Sequence, residues 1–134
     1  LHQMMSYIYT TKDVDEALRK SLEIGLITDS QRLNFKELIE SIVFNPELEL
    51  YFAENGLVFN ERTIFSATFK NIKPDRVTIR GNQAYLLDYK TGKAEDSHVK
   101  QVREYQLALE DMGYEVVKKI ILYTGDHINM VHLP

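Results

Sequence analysis

The chain has 134 residues, 44% hydrophobic and 27% charged, which suits one ordinary domain with its own core and is too little for two. It has no cysteine, which excludes disulfides, thiolate zinc sites and cysteine-ligated iron–sulfur clusters, so any metal must be held by oxygen or imidazole ligands. The formal net charge of −4 argues against a nucleic-acid binder, because phosphate contacts need Lys and Arg, but the charge is uneven: residues 1–62 carry six basic and eleven acidic side chains, residues 63–103 eight basic and four acidic.

The chain opens on Leu1 rather than Met, which suggests a segment of something longer. No apolar stretch approaches the roughly 20 residues that span a bilayer, and the first residues lack the order of a signal peptide. The expectation is a soluble, cytoplasmic protein that does not meet a membrane. Leu1, Met4, Met5 and Ile8 fall at helical spacing and predict a short first helix. Asp13 with Glu16 reads as a capping box ahead of Val14, Ala17, Leu18 and Leu22, with Gly25 as the stop. Thr28 with Gln31 repeats the device before Leu33, Leu38, Ile39, Ile42 and Val43, and Asn45-Pro46 ends that helix. The stretch PELELYF offers one more turn.

From Leu57 the period changes to two. In LVFNERTIF one face carries Phe59, Glu61, Thr63 and Phe65; in PDRVTIR one face carries Asp75, Val77 and Ile79, the other Arg76, Thr78 and Arg80. Both read as half-buried strands. Gly81-Asn82 is a two-residue turn into QAYLLDYK, and so short a loop predicts an antiparallel hairpin whose register it fixes. Residues 98–112 place Val102, Tyr105, Leu109 and Met112 on one stripe of a helix ended by Gly113. EVVKKIILYT and INMVHL follow as strands. A strand, a helix and a strand of these lengths predict a parallel pair added to the antiparallel meander, hence an α+β fold with a mixed sheet flanked by helices. The division expected is a helical part over 1–53 and a sheet-bearing part over 54–134 of one domain.

The hairpin register carries the chemistry. Arg80 pairs with Gln83, Ile79 with Ala84, Val77 with Leu86, and by the same count Asp75 lies opposite Asp88. Directly paired residues have Cβ atoms about 5 Å apart, and like charges there are destabilising, the more so on an apolar face. A divalent cation offsets that repulsion, and hard ions such as Mg²⁺ or Mn²⁺ take carboxylate oxygens with water completing the shell. Glu61 is a third candidate ligand if its strand is the next neighbour. Two other readings stand beside this one: the strand-end aspartates meet only water, or a bulge turns Asp75 off the face. Lys90 shares the face of Asp88, one step nearer the strand end, where it can neutralise the carboxylates, meet a phosphate or serve only as an ion-pair partner. On the following helix His98, Gln101 and Tyr105 point the same way.

Glu61, KPDRV, LLDYKTGK and QVREY together resemble the PD-(D/E)XK nuclease superfamily, and within it the RecB-type nuclease domain of helicase–nuclease chains. Asp75 matches the first aspartate, Asp88-Tyr89-Lys90 the D-x-K element, Gln101 and Tyr105 the Q-x-x-x-Y helix, and His2 a histidine on the leading helix that supplies a metal ligand. The resemblance implies a restriction-endonuclease-like core, Mg²⁺-dependent hydrolysis of DNA phosphodiesters in repair and recombination, and a helicase in the same chain or a partner subunit. It implies Asp75 and Asp88 as metal ligands, with Glu61, His2 and the Tyr89 carbonyl as further ones. Lys90 would orient the attacking water or steady developing charge, and Gln101 and Tyr105 would fix Lys90 or the DNA backbone. Many relatives carry a cysteine-ligated iron–sulfur cluster, which this chain has no residues to hold. The alternatives are a catalytically silent DNA-binding or scaffolding module of the same fold, and a generic α+β ligand-binding domain.

Overall fold

The computed structural model describes residues 1–66, 70–125 and 127–134, in two compact units, Leu1–Gly56 and Leu57–Pro134. The first unit is helical: α1 (His2–Met5), α2 (Val14–Glu23), α3 (Arg32–Val43) and α4 (Glu49–Phe52). The second holds five strands, β1 (Leu57–Asn60), β2 (Arg76–Arg80), β3 (Gln83–Lys90), β4 (Glu115–Thr124) and β5 (Ile128–His132), with α5 (Asp96–Asp111) between β3 and β4. Among the described residues no helix is long and apolar enough to cross a membrane.

In the helical unit, α2 buries Val14, Ala17, Leu18 and Ser21, the i, i+3, i+4, i+7 stripe of a one-sided helix. The Ser21 hydroxyl is satisfied by donating to the Ala17 carbonyl at 2.7 Å. The capping box ahead of α2 lies one turn earlier than Asp13 and Glu16 suggest. Thr10 is the cap, and Asp13 is its partner, accepting from the amides of Tyr9 and Thr10 at 2.9 Å each. A single 3₁₀ turn, Thr11–Asp13, fills the gap, so the carboxylate works backwards along the chain. Thr28 and Gln31 do form the second box, leading into α3 by a 3₁₀ turn. Leu33, expected on the buried stripe of α3, is exposed, while Ile39, Ile42 and Val43 are buried.

The sheet runs β1-β2-β3-β4-β5 in chain order: β1, β2 and β3 antiparallel, β3 and β4 parallel, β4 and β5 antiparallel. This is the expected α+β fold with a mixed sheet. The hairpin has the predicted register, Arg80 to Gln83, Ile79 to Ala84 and Val77 to Leu86, around Gly81 at φ 61°. The crossover helix α5 lays Val102, Tyr105, Ala108 and Leu109 onto Val77, Ile79, Ala84, Leu86, Ile121 and Tyr123. Met112, expected on that stripe, is exposed beyond the helix end, and Ala108 takes its place in the core.

Two strand expectations are corrected. LVFNERTIF is not one strand: β1 ends at Asn60, and Glu61 takes a left-handed backbone at φ 48°. That residue breaks the alternation, so Ile64 turns inward and bridges Ile72 while Phe65 is 76% exposed. Nor is β2 half-buried. Arg76 and Thr78 are fully buried as well as Val77, and the Arg76 guanidinium donates to the Asn60 side-chain oxygen at 3.1 Å. Asn60 stands opposite Arg76 in the β1–β2 register, which places an uncharged acceptor where the charge needs one.

Candidate metal centre at the end of the β2–β3 hairpin

The site begins where β2 begins. Pro74 cannot donate a ladder hydrogen bond, so the regular pairing of β2 with β3 stops at Arg76 and Leu87. Asp75 sits one residue outside the ladder with both ends tied. Its carbonyl accepts the Glu61 amide at 3.0 Å, and its Oδ2 accepts the Tyr89 amide at 2.8 Å. The carboxylate thus occupies the position past the last rung, beside Asp88.

Asp88 lies on the α5 side of β3, in line with Ala84 and Leu86, and is 3% exposed. Its carboxyl pKa is pushed up to about 7, first by burial and then by the charge of Asp75 and the carboxyl–carboxyl contact with it. Lys90 opposes that shift: its Nζ is 3.1 Å from Asp88 Oδ2 and donates to Gln101 Oε1 at 2.6 Å. The contact with Asp88 is an ion pair without hydrogen-bond direction, so the buried Oδ2 has no hydrogen-bond partner among the described residues. Tyr105, one turn along α5, donates its hydroxyl to the Lys73 carbonyl at a long 3.5 Å. Burial, and then Asp88 and Asp75, hold the Tyr105 phenol well above its usual range. The Tyr89 phenol, on the opposite face of β3, is raised by burial and partly pulled back by Arg76.

Of the residues singled out from the sequence, Asp75, Asp88, Lys90 and Gln101 therefore form one connected chain, with Tyr105 one turn further along α5. Glu61 is joined to it through its backbone amide. His2 is the first residue of α1 in the helical unit. Two further groups adjoin the site that pattern reading left without a role. Tyr123 pairs with Lys90 across the parallel β3–β4 ladder, and its hydroxyl is 3.0 Å from His98 Nδ1. Buried Arg76 is the other; the signal was its place directly after Asp75, but reading it needed the register of β1.

Among the described residues no three His, Cys, Asp or Glu side chains converge in a metal-holding group. Mg²⁺ is commonly held by one or two carboxylates with water filling the rest of its shell, so this does not decide against it. The donor set fits a hard divalent cation: two adjacent carboxylates, one with a buried oxygen short of a hydrogen-bond donor, and the Tyr89 carbonyl next in the chain.

No family model matches the chain, and no curated protein does. Among solved structures it is similar to SSO0001, with 18% sequence identity, 91% of this chain and 76% of that one covered, and a TM-score of 0.39. The functional reading is therefore carried by the site itself.

Proposed function

We propose that the sheet-bearing unit is a Mg²⁺-dependent deoxyribonuclease that hydrolyses phosphodiester bonds, with Mn²⁺ able to substitute. The observation that supports it most is the convergence at one strand end of Asp75, Asp88 and Lys90, with Lys90 held from α5 by Gln101. Two carboxylates facing each other in a buried position repel one another and would repel a phosphate. Asp75 and Asp88 would hold the cation, with the Tyr89 carbonyl and Glu61 as further candidates. When bound, the cation supplies a bound water of lowered pKa and a counter-charge for the phosphate.

The chain's own groups supply the rest. Lys90 Nζ, a partly buried cation beside Asp88, would orient the water or steady charge as it develops on the phosphate. Gln101 Oε1 takes one of its three N–H bonds and so limits where the other two point. Tyr105, one turn further along α5, lies beside Gln101 and would line the approach of the strand. Contacts of this kind reach phosphate and sugar and carry no base information, so sequence preference should be weak. The acidic helical half disfavours tight independent DNA binding, and a helicase in the same polypeptide or a partner subunit would deliver the strand, as in repair and recombination.

The test is cleavage of single- and double-stranded DNA across a Mg²⁺ titration by the natural chain, Asp88→Ala and Lys90→Ala. Losing one transition-state contact of this type costs about 10²–10³ in turnover, and both variants should lose at least that. Cleavage that survives both substitutions sinks the reading.

A further inference from the structure

Beside the Gln101–Tyr105 face of α5 lies a cavity of about 290 Å³ lined by Lys70, Asn71, Ile72, Lys73, Gln101, Glu104 and Tyr105. Two of the seven, Gln101 and Tyr105, belong to the site already described. Glu104 is on α5 as well, and the other four come from the segment between β1 and β2, which is anchored twice. Ile72 exchanges two backbone hydrogen bonds with Ile64, at 2.7 and 3.1 Å, and the Lys73 carbonyl accepts from Tyr105. The cavity therefore has one wall on a helix and one on a pinned strand-like segment. Lys70 and Lys73 are exposed side chains, and among the described residues neither ammonium has an ion-pair partner. Glu104 is the single acidic group on the rim.

We propose that this cavity is a phosphate subsite for the nucleotide flanking the scissile bond, with Lys70 and Lys73 as its cationic contacts and Asn71 as a neutral donor. The cavity is at the lower limit of ligand-pocket sizes, room for one sugar-phosphate unit and not for a base pair. That favours a single strand. Two lysines against one glutamate leave the rim net positive, opposite in sign to the carboxylates of the neighbouring centre. A strand lying across both would have its scissile phosphate at the centre and the next one in the cavity, where Tyr105 gives the sugar an apolar wall. Lys73 is two residues from Asp75 and one from Pro74, so the segment that carries the subsite also sets the first aspartate. The subsite deepens the nuclease reading and rests on it for the identity of the strand.

The experiment measures binding without requiring turnover. Affinity of a short fluorescent single-stranded DNA is followed by anisotropy between 50 and 200 mM salt for Asp88→Asn alone and for Asp88→Asn with Lys70→Gln and Lys73→Gln. Each phosphate contact on a single strand contributes about 0.7 to the slope of log affinity against log salt, so losing two should lower the slope by about 1.4 and the low-salt affinity by about tenfold. Lys118→Gln on β4, an exposed lysine outside the cavity, should change neither. Equal slopes with and without the two lysines overturn the subsite, as does weaker binding at unchanged slope, or no measurable binding by the Asp88→Asn background. Cleavage by the natural chain is scored separately: a lowered slope without any Mg²⁺-dependent cleavage keeps the subsite and rejects the nuclease, and the reverse result does the opposite.

Discussion

Asp88 is the residue on which the chemistry and the stability of the second unit meet. Its carboxyl is raised to about 7 because the charged form is buried beside a second carboxylate. A carboxyl raised on folding favours the native state while both forms are protonated, below its ordinary value near 4, and that advantage is lost as pH rises through the folded value. In a chelator, the chain should therefore lose stability between about pH 4 and pH 7, the reverse of a salt-bridged aspartate. Asp88→Asn, which has no charge to bury, should flatten this profile and be the more stable protein at pH 8. Denaturant midpoints at pH 4, 6 and 8 measure it, and a natural chain that gains stability over that window contradicts the burial argument. Arg76 poses the same problem with the opposite sign. Truncating its acceptor by Asn60→Ala should destabilise by about 1–3 kcal/mol, read from the same midpoints, because a buried guanidinium loses a partner. Neither the interior place of Arg76 nor the left-handed Glu61 was legible in the sequence. Charge pointed the first to solvent, and no glycine or asparagine marked the second.

At the level of elements, the hairpin was legible because a two-residue turn leaves one register open, and that register runs to Arg76 and Leu87, one residue short of Asp75 and Asp88. The same turn makes a specific demand. Gly81 sits at φ 61°, where an added Cβ meets no neighbouring atom but the backbone itself is strained for an L side chain. Gly81→Ala should cost about 1–2 kcal/mol without any clash. Turnover of the folded fraction should not change, because Ile79 to Ala84 and Val77 to Leu86 are locked by the core under α5. A separate loss of turnover, measured where the variant is fully folded, would show that the turn and not the core sets the register. The crossover strand–helix–strand was legible from lengths and period alone. The end of β1 was not, since alternation continued on paper through NERTIF after the backbone had already turned.

At the scale of the whole chain, charge is divided as the proposed chemistry needs it: acid in residues 1–62, base in 63–103, and within the basic block one close pair of carboxylates. An ion that relieves that pair must stabilise the folded protein, since the unfolded chain holds the two aspartates thirteen residues apart and binds it poorly. At a free Mg²⁺ concentration 100 times its dissociation constant the gain is about 2.7 kcal/mol, which for a protein of this length raises the melting temperature by about 10 °C. NaCl at matched ionic strength gives the screening control, because screening relaxes surface repulsion everywhere and buried repulsion little. The natural chain at pH 8 should melt higher in MgCl₂ than in that control, with the difference shrinking towards pH 5 as Asp88 takes up a proton in competition with the metal. In Asp88→Asn most of the difference should vanish. An equal rise in both proteins would mean that Mg²⁺ acts on the acidic helical surface, and that the two carboxylates at the strand end hold no ion.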